Sequence, residues 1–485
     1  MSSSSSVVNG VKWTSVSTMG RRVLALLANV AFARLLVPSD FGLVAMAGVL
    51  LGFIDIFKDL GTGTALIRDK DLSEERLSSV FWLNAGFGLA MTLAIIAISP
   101  LAATFYHEPR VQAVLIGMAP SFLLSALGIV QSSLLTREMA FNRLAKIELA
   151  AALLSYVVGM AAAVMGQGVW SLVYQVLTNT LLGVVLMWWA SSWRPKLVFH
   201  WLEVKPIMSY SLNLTGYNIF YYFAQNVDNL LIGRFLGTEA LGLYDLAYKL
   251  MSFPMQAISS VFARVMSPYY AQAQDDLPRF RQAFLQVGAA IAFVTFPLMI
   301  GLLAVRGHFV LAVFGPDWMP VATLLAMFAP LGAIRSVLTT TGSIFIAKGR
   351  TDLQLRWGVV SNLIVFAGLA IGLQWGALGV AGGFTVTALL LLYPNFAIPM
   401  KLIELPVSRL MATLRPAAMC ALLMFATISG VDLLLQDKLA ETPTLIMLVL
   451  VGMGSYTLYS WLLNRDMLLS ILSKAGLRAP ALASL

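Results

Sequence analysis

Apolar runs of about twenty residues recur along the whole chain, and they constrain its fold more than any other feature. A helix needs about 20 mostly apolar residues to cross the hydrocarbon core of a bilayer. Runs of that kind stand near 11–36, 40–66, 79–99, 111–135, 145–166, 170–191 and 207–236. They continue near 239–268, 282–305, 319–346, 355–375, 377–399, 410–434 and 443–464. They are continuous rather than alternating, so in lipid, where only helices and closed barrels satisfy the backbone, they read as helices. The expected fold is an all-α polytopic membrane protein with about fourteen transmembrane helices. Charged residues make up only 11% of the 485, against about 25% in a soluble domain.

The charges test that count. With the N-terminus inside, the inside segments carry 20 Lys and Arg, and the opposite side carries 5 (Arg34, Arg110, Arg234, Arg306 and Lys438). Such a bias obeys the positive-inside rule along the whole chain and puts both termini in the cytoplasm. The net charge of +9 is then mainly a topology signal, and nucleic acid is not an expected partner. One cysteine (Cys420) and three scattered histidines (His107, His200, His308) leave no basis for a disulfide framework or a metal cluster. There is no phosphate-binding G-x-x-x-x-G-K-[ST] loop, so neither a cofactor nor a metal is expected. The serine-rich start has no short apolar core followed by a cleavage site, so no removed signal peptide is expected. Outside loops reach only about 13 residues, too little to hold the catalytic residues of a membrane glycan polymerase. The chain therefore reads as a non-enzyme.

A repeat runs through the sequence. At a shift of 200 residues, Arg34-Leu35-Leu36 through Phe41-Gly42-Leu43 aligns with Arg234-Phe235-Leu236 through Leu241-Gly242-Leu243, and Ala47 with Ala247. Asp71-Leu72 corresponds to Asp276-Leu277, Ala119-Pro120 to Ala329-Pro330, and Gly168-Val169-Trp170 to Gly376-Ala377-Leu378. This divides the chain into an N-lobe at 1–191, an inside linker at 192–206, a C-lobe at 207–400, two further helices at 401–464 and a tail at 465–485. Six helices per lobe is an even number, so the two pseudo-symmetric lobes share one orientation, the arrangement of parallel-repeat transporters. The tail begins as an amphipathic stretch suited to a short surface helix.

Several short segments resemble one family. They are Val11-Lys12-Trp13, Ala33-Arg34-Leu35-Leu36 with Phe41-Gly42-Leu43, Asp59-Leu60-Gly61, Trp82-Leu83-Asn84 and Thr136-Arg137-Glu138-Met139-Ala140-Phe141-Asn142. Further on come Tyr244-Asp245-Leu246-Ala247-Tyr248, Phe314-Gly315-Pro316-Asp317-Trp318 and Ile334-Arg335-Ser336. Together they resemble the colanic-acid-exporter branch of the Wzx-type flippases, in the MOP exporter superfamily, over nearly the whole chain. The resemblance implies a MATE-like fold in the bacterial inner membrane. It also implies flipping of an undecaprenyl-pyrophosphate-linked oligosaccharide repeat unit for surface polysaccharide or lipopolysaccharide, by alternating access. A coupling ion, proton or sodium, and polysaccharide-assembly proteins are the further partners it suggests, beside membrane lipids.

Seven basic residues fall within the spans: Arg21, Arg22, Lys58, Lys249, Arg264, Arg335 and Arg415. A charge at mid-membrane costs at least about 2.5–3.5 kcal/mol on insertion scales, so it faces a cavity or a partner. Arg21, Arg22, Lys58, Lys249 and Arg335 are candidates for a cationic central cleft that takes the pyrophosphate, which Arg binds bidentately. Snorkelling or internal pairing is the competing reading, and Arg264 and Arg415 fit it best. Tyr221, Tyr222 and Asn226 are candidate glycan contacts, against plain packing or interface roles. Among the acids, Asp228 has no basic neighbour one turn away and is the first candidate for ion coupling, beside Asp55, Asp59 and Asp245. Asp245 with Lys249 also reads as an i, i+4 salt bridge. The alternative within transport is a MATE-like ion-coupled exporter of small cationic compounds, which would want a cleft dominated by carboxylates.

Overall fold

Each of the fourteen apolar stretches falls mainly on helix in the structure, a computed structural model that describes residues 2–58, 62–69, 72–272, 276–435 and 440–474. Among the described residues every regular element is helical. Nine helices there are long and apolar enough to cross a membrane. They become ten if Arg110–Ala126 and Ile129–Arg137, bent by 41° at their break, form one span. The difference from fourteen has local causes. Thr351–Lys401 joins two expected spans in one apolar stretch, and the Ser2–Ala33 and Trp201–Gln272 helices are not among the nine. The Trp201–Gln272 helix is interrupted at Gly237, where φ is 86°. That left-handed backbone suits glycine, and it falls where the expected spans 207–236 and 239–268 meet.

The chain forms two units, Met1–Gly242 and Leu243–Leu485. In the first, the two glycines matched by the repeat approach each other's helix. A Cβ on Gly42 would stand 1.8 Å from the carbonyl oxygen of Thr238, and one on Gly242 would stand 1.9 Å from that of Pro38. The two contacts are the same contact read in both directions at the 200-residue shift. Only a hydrogen at each Cα lets the backbones come so close, as small residues do in membrane helix packing. A few turns on, the Tyr222 hydroxyl donates to the Val49 carbonyl at 2.7 Å and lies over Gly52, where a Cβ would meet it at 2.4 Å. Gly48, one turn earlier, has open space where a Cβ would stand, so of these two glycines only Gly52 is needed for closeness.

The extended stretch after the Trp170–Ala190 helix is laid along the start of the Glu74–Tyr106 helix. Trp82 Nε1 donates to the Lys196 carbonyl at 2.8 Å. The Lys196 and His200 amides donate to the hydroxyls of Ser78 and Ser79 at 3.1 and 2.9 Å. Ser73 caps that helix by accepting from the Arg76 amide at 3.1 Å, with Glu74 and Glu75 in its first turn, where carboxylates complement the helix dipole. The turn after the same helix holds Glu108. The hydrogen-bonded Arg110 guanidinium keeps its carboxyl below the usual range.

The second unit packs around the Leu277–Val313 helix, with Phe280, Phe284, Ile291 and Met299 in its core. Thr295 and Ser336, both fully buried, share a hydrogen bond of 2.7 Å. The last two long helices, Val407–Leu435 and Glu441–Leu463, are tied into this unit. Tyr456 donates to the Phe293 carbonyl at 2.7 Å, and His308 lies between Glu441 at 2.6 Å and Asp432 at 2.9 Å. Arg281 donates to the Ile403 carbonyl and to Glu404 at 2.6 and 2.7 Å. Large apolar side chains such as Leu101, Val157, Trp189 and Leu450 are exposed, as lipid contact requires. The tail forms the expected short helix, Arg465–Lys474.

Two outcomes follow from the glycine contacts. Gly42→Ala should lower the melting temperature of the detergent-solubilised chain, at a cost of about 1–3 kcal/mol for forced overpacking. Gly48→Ala, with no atom in the way, should leave it unchanged or slightly raised. Tyr222→Phe should lower the melting temperature as well, at a cost of about 1 kcal/mol for the hydroxyl's bond to the Val49 carbonyl.

Candidate functional site

Polar side chains from six helices of the first unit converge on a cavity of about 620 Å³. The Ser2–Ala33 helix contributes Arg21, and the short Thr62–Arg68 helix contributes Gly63 and Thr64. The bent pair ending at Arg137 brings Ser125, Ser132 and Thr136. From Phe141–Val164 come Glu148, Ala151, Ala152 and Tyr156, at i, i+3, i+4 and i+8, which is one face of a helix. From Trp170–Ala190 come Gln175, Asn179, Gly183 and Met187, at intervals of four. Apolar side chains, Ile67, Ile129, Ile147, Val184 and Met187, complete the wall.

The electrostatics centre on one pair. Arg21 Nη2 stands 3.4 Å from Glu148 Oε2, and the buried Ser17 hydroxyl donates to the same oxygen at 2.5 Å. The side chains are 46% and 32% exposed, so the pair is open to the cavity rather than sealed in packing, and screening keeps its contribution to stability to about 1 kcal/mol or less. Several hydroxyls on the wall are committed to their own helix. Ser133 donates to the Ile129 carbonyl and Thr136 to the Ser132 carbonyl, both at 2.8 Å. Gln175 reaches Ser155 only at 3.5 Å. Asn179 makes no side-chain hydrogen bond among the described residues.

The second unit holds a different arrangement. Arg335 lies with its guanidinium carbon 5.1 Å from the Phe384 ring centroid, a cation–π distance. Tyr248 meets Phe384 at 6.2 Å and Phe328 at 6.1 Å, and Tyr244 stacks on Tyr248 at 6.3 Å. Arg335 Nη1 is buried without a hydrogen-bond partner. Nearby in sequence, Lys249 Nζ contacts Asp245 at 2.6 Å, the i, i+4 bridge that the spacing suggests.

Of the cations singled out from the sequence, Arg21 lies on the cavity wall. Arg22, turned by about 100° from it, does not. The side chains of Lys58 and Tyr221 and the whole of Asp59 lie outside the described residues. Tyr222 and Asn226 point into local packing: Tyr222 binds Val49, and Asn226 donates to the Tyr222 carbonyl at 2.9 Å. Asp228 is buried at 7% exposure and accepts from the Asn229 amide at 2.9 Å, while Asp55 is exposed. Glu148, Tyr156, Gln175 and Asn179 went unnoticed in the sequence. Their signal was there, as polar residues recurring every four positions inside two otherwise apolar spans.

Comparison with known proteins fits this architecture. Residues 31–323 match a family described as polysaccharide biosynthesis protein. The teichuronic acid biosynthesis protein TuaB of Bacillus subtilis is 32% identical over 378 residues, 77% of each chain. The lipopolysaccharide biosynthesis protein WzxC of Escherichia coli is 27% identical over 80% of each chain. The succinoglycan biosynthesis transport protein ExoT of Rhizobium meliloti is 26% identical over 98% of this chain and 97% of its own. Among solved structures, the lipid II flippase MurJ superposes with a TM-score of 0.72 at 15% identity, covering 94% of this chain and all of the other. A MATE multidrug transporter follows at 0.61 and 17%, over 81% of this chain and 96% of its own. The fold is therefore that of the MOP exporters, and the chain belongs to the polysaccharide biosynthesis protein family.

Proposed function

We propose that this chain carries a lipid-linked oligosaccharide repeat unit, built on undecaprenyl pyrophosphate, from the cytoplasmic to the outer leaflet of the bacterial inner membrane. The observation that carries the reading is a cavity whose wall mixes hydroxyls, amides and an ion pair with apolar side chains, inside a unit whose outer faces are apolar, in a chain related to a polysaccharide transport protein and folded like a lipid II flippase. A glycan head group cannot cross hydrocarbon without losing its hydrogen bonds to water, at several kcal/mol for each unsatisfied polar group. A cavity of hydroxyls and amides replaces those bonds, while the polyprenyl tail stays in lipid. The chain moves its cargo without making or breaking covalent bonds, as a transporter rather than an enzyme.

The two lobes at 1–191 and 207–400 are the moving parts of this reading, which alternate access to the two faces, with both termini cytoplasmic. Arg22, Lys58 and Arg335 are the proposed counter-charges for the pyrophosphate, joined by Lys249 when its bridge to Asp245 opens. Asp228, with Asp55, Asp59 and Asp245, is proposed for coupling to a proton or sodium gradient. Polysaccharide-assembly proteins are the proposed partners that take the unit onward.

Deleting the gene should remove a surface polymer and cause its undecaprenyl-pyrophosphate repeat unit to accumulate, as read by mass spectrometry of lipid extracts. Arg335→Ala, made in a protein that still reaches the membrane, should lower export roughly tenfold or more. That is the loss expected when a charge-assisted bond worth about 1.5–3 kcal/mol is removed. Unchanged lipid intermediates together with new sensitivity to cationic dyes would sink this reading and favour a MATE-like exporter of small cations.

A further inference from the structure

We infer that the cavity of the first unit is a subsite for the sugar part of the cargo, with Asn179, Gln175, Tyr156 and the Arg21–Glu148 pair reading its hydroxyls; this rests on the flippase reading above. The wall's chemistry selects a neutral polyol over an anion. Among the described residues Arg21 is the one basic side chain on the wall, and it is compensated by Glu148 at 3.4 Å. A phosphate placed against this guanidinium would also meet the Glu148 carboxylate, a like charge at the same distance scale, which sets repulsion against the attraction. Sugar hydroxyls have no such conflict, because each both donates and accepts. They can accept from the guanidinium and donate to the carboxylate side by side.

The other polar groups are available for the same task. Asn179 has both ends of its amide unused among the described residues. Gln175, one turn earlier on the same face, has only the long contact to Ser155 at 3.5 Å. The Thr136 hydroxyl donates to its own helix, which leaves its oxygen turned outward as an acceptor. Small residues make the room: a Cβ on Gly183, on the stripe with Asn179, would meet no atom within 4 Å. At about 620 Å³ the cavity falls in the range of small-molecule sites, roughly 300–1,000 Å³.

The test uses the full chain in lipid nanodiscs and two probes. One is the glycolipid that accumulates in cells lacking this chain, and the other is undecaprenyl pyrophosphate bearing no sugar. Wild type should bind the glycolipid at least about tenfold more tightly than the bare lipid. Asn179→Ala and Gln175→Ala should each close most of that gap, about tenfold for a lost pair of hydrogen bonds, with affinity for the bare lipid unchanged. Gly183→Leu puts bulk where there is open space and asks nothing of the packing. It should abolish the preference at an unchanged melting temperature.

Variants that lower affinity for both lipids in parallel would overturn the inference and leave the cavity a packing or water-filled space. So would a preference untouched by Asn179→Ala and Gly183→Leu. In either case, accumulation of the glycolipid in the deletion strain keeps the flippase reading standing. If no glycolipid accumulates there, both fail together.

Discussion

Lipid offers no hydrogen bonds, and that constraint decides where each polar atom of this chain can go. Within the spans, serines and threonines turn their hydroxyls back onto their own helix. Thr92 donates to Gly88, Ser133 to Ile129 and Thr295 to Ile291, at 2.8 to 2.9 Å. A hydroxyl so placed adds no polar demand on its neighbours, so it packs almost as an apolar group. Asn226 takes the same local exit, but the amides and charged groups of the cavity do not. Gln175, Asn179, Arg21 and Glu148 are therefore gathered on one cavity, and the apolar sides of the same helices are left for lipid. The cavity is the place where the bundle can hold groups that neither lipid nor helix backbone would satisfy.

The architecture was legible because it depends on local and periodic features. Twenty-residue apolar runs fix the helices. The repeat was legible too, and the glycines it matched turned out to be in mutual contact. Gly42 lies against Thr238 and Gly242 against Pro38. A repeat whose matched residues touch each other reciprocally behaves like a two-fold interface inside one chain, which explains why both positions are glycine. The breaks followed the same logic, with left-handed backbone at Gly237 and Gly376 where expected spans met. The apparent helix count was harder to read. Apolarity runs on through the short turn at Leu373–Trp375, and it thins in Ser2–Ala33, where serines and paired arginines share the helix with leucines.

The site was legible only in part, because a cavity is a tertiary object. Arg21 drew notice because a lone charge in a span is expensive. Its partner Glu148 lies 127 positions away, and only packing of the Ser2–Ala33 helix with Phe141–Val164 brings them together. Attention to charge also hid the neutral groups: Gln175 and Asn179 carry no sign that a charge tally registers. Tyr222 and Asn226 drew notice as aromatic and amide, yet neither residue type tells a substrate contact from a packing pin. For Tyr222 the structure adds the packing: Gly52, whose missing Cβ makes the room that the phenol occupies.

Arg21 and Arg335 show how one residue type can serve two kinds of recognition. Arg21 has a carboxylate beside it and hydroxyls around it, so its site is dipolar and close to neutral. Arg335 lies against the face of Phe384, in a cluster with Tyr248 and Phe328, and has a guanidinium nitrogen buried without a hydrogen bond. Aromatic faces soften the cost of a cation but do not cancel its charge. A cation kept within a span at a cost of about 2.5–3.5 kcal/mol or more is the arrangement suited to an anion, whereas a compensated one is suited to hydroxyls. A cargo with a charged pyrophosphate at one end and a neutral glycan at the other asks for both. Under that reading, the sign of each site's uncompensated charge tells which part of the cargo it takes.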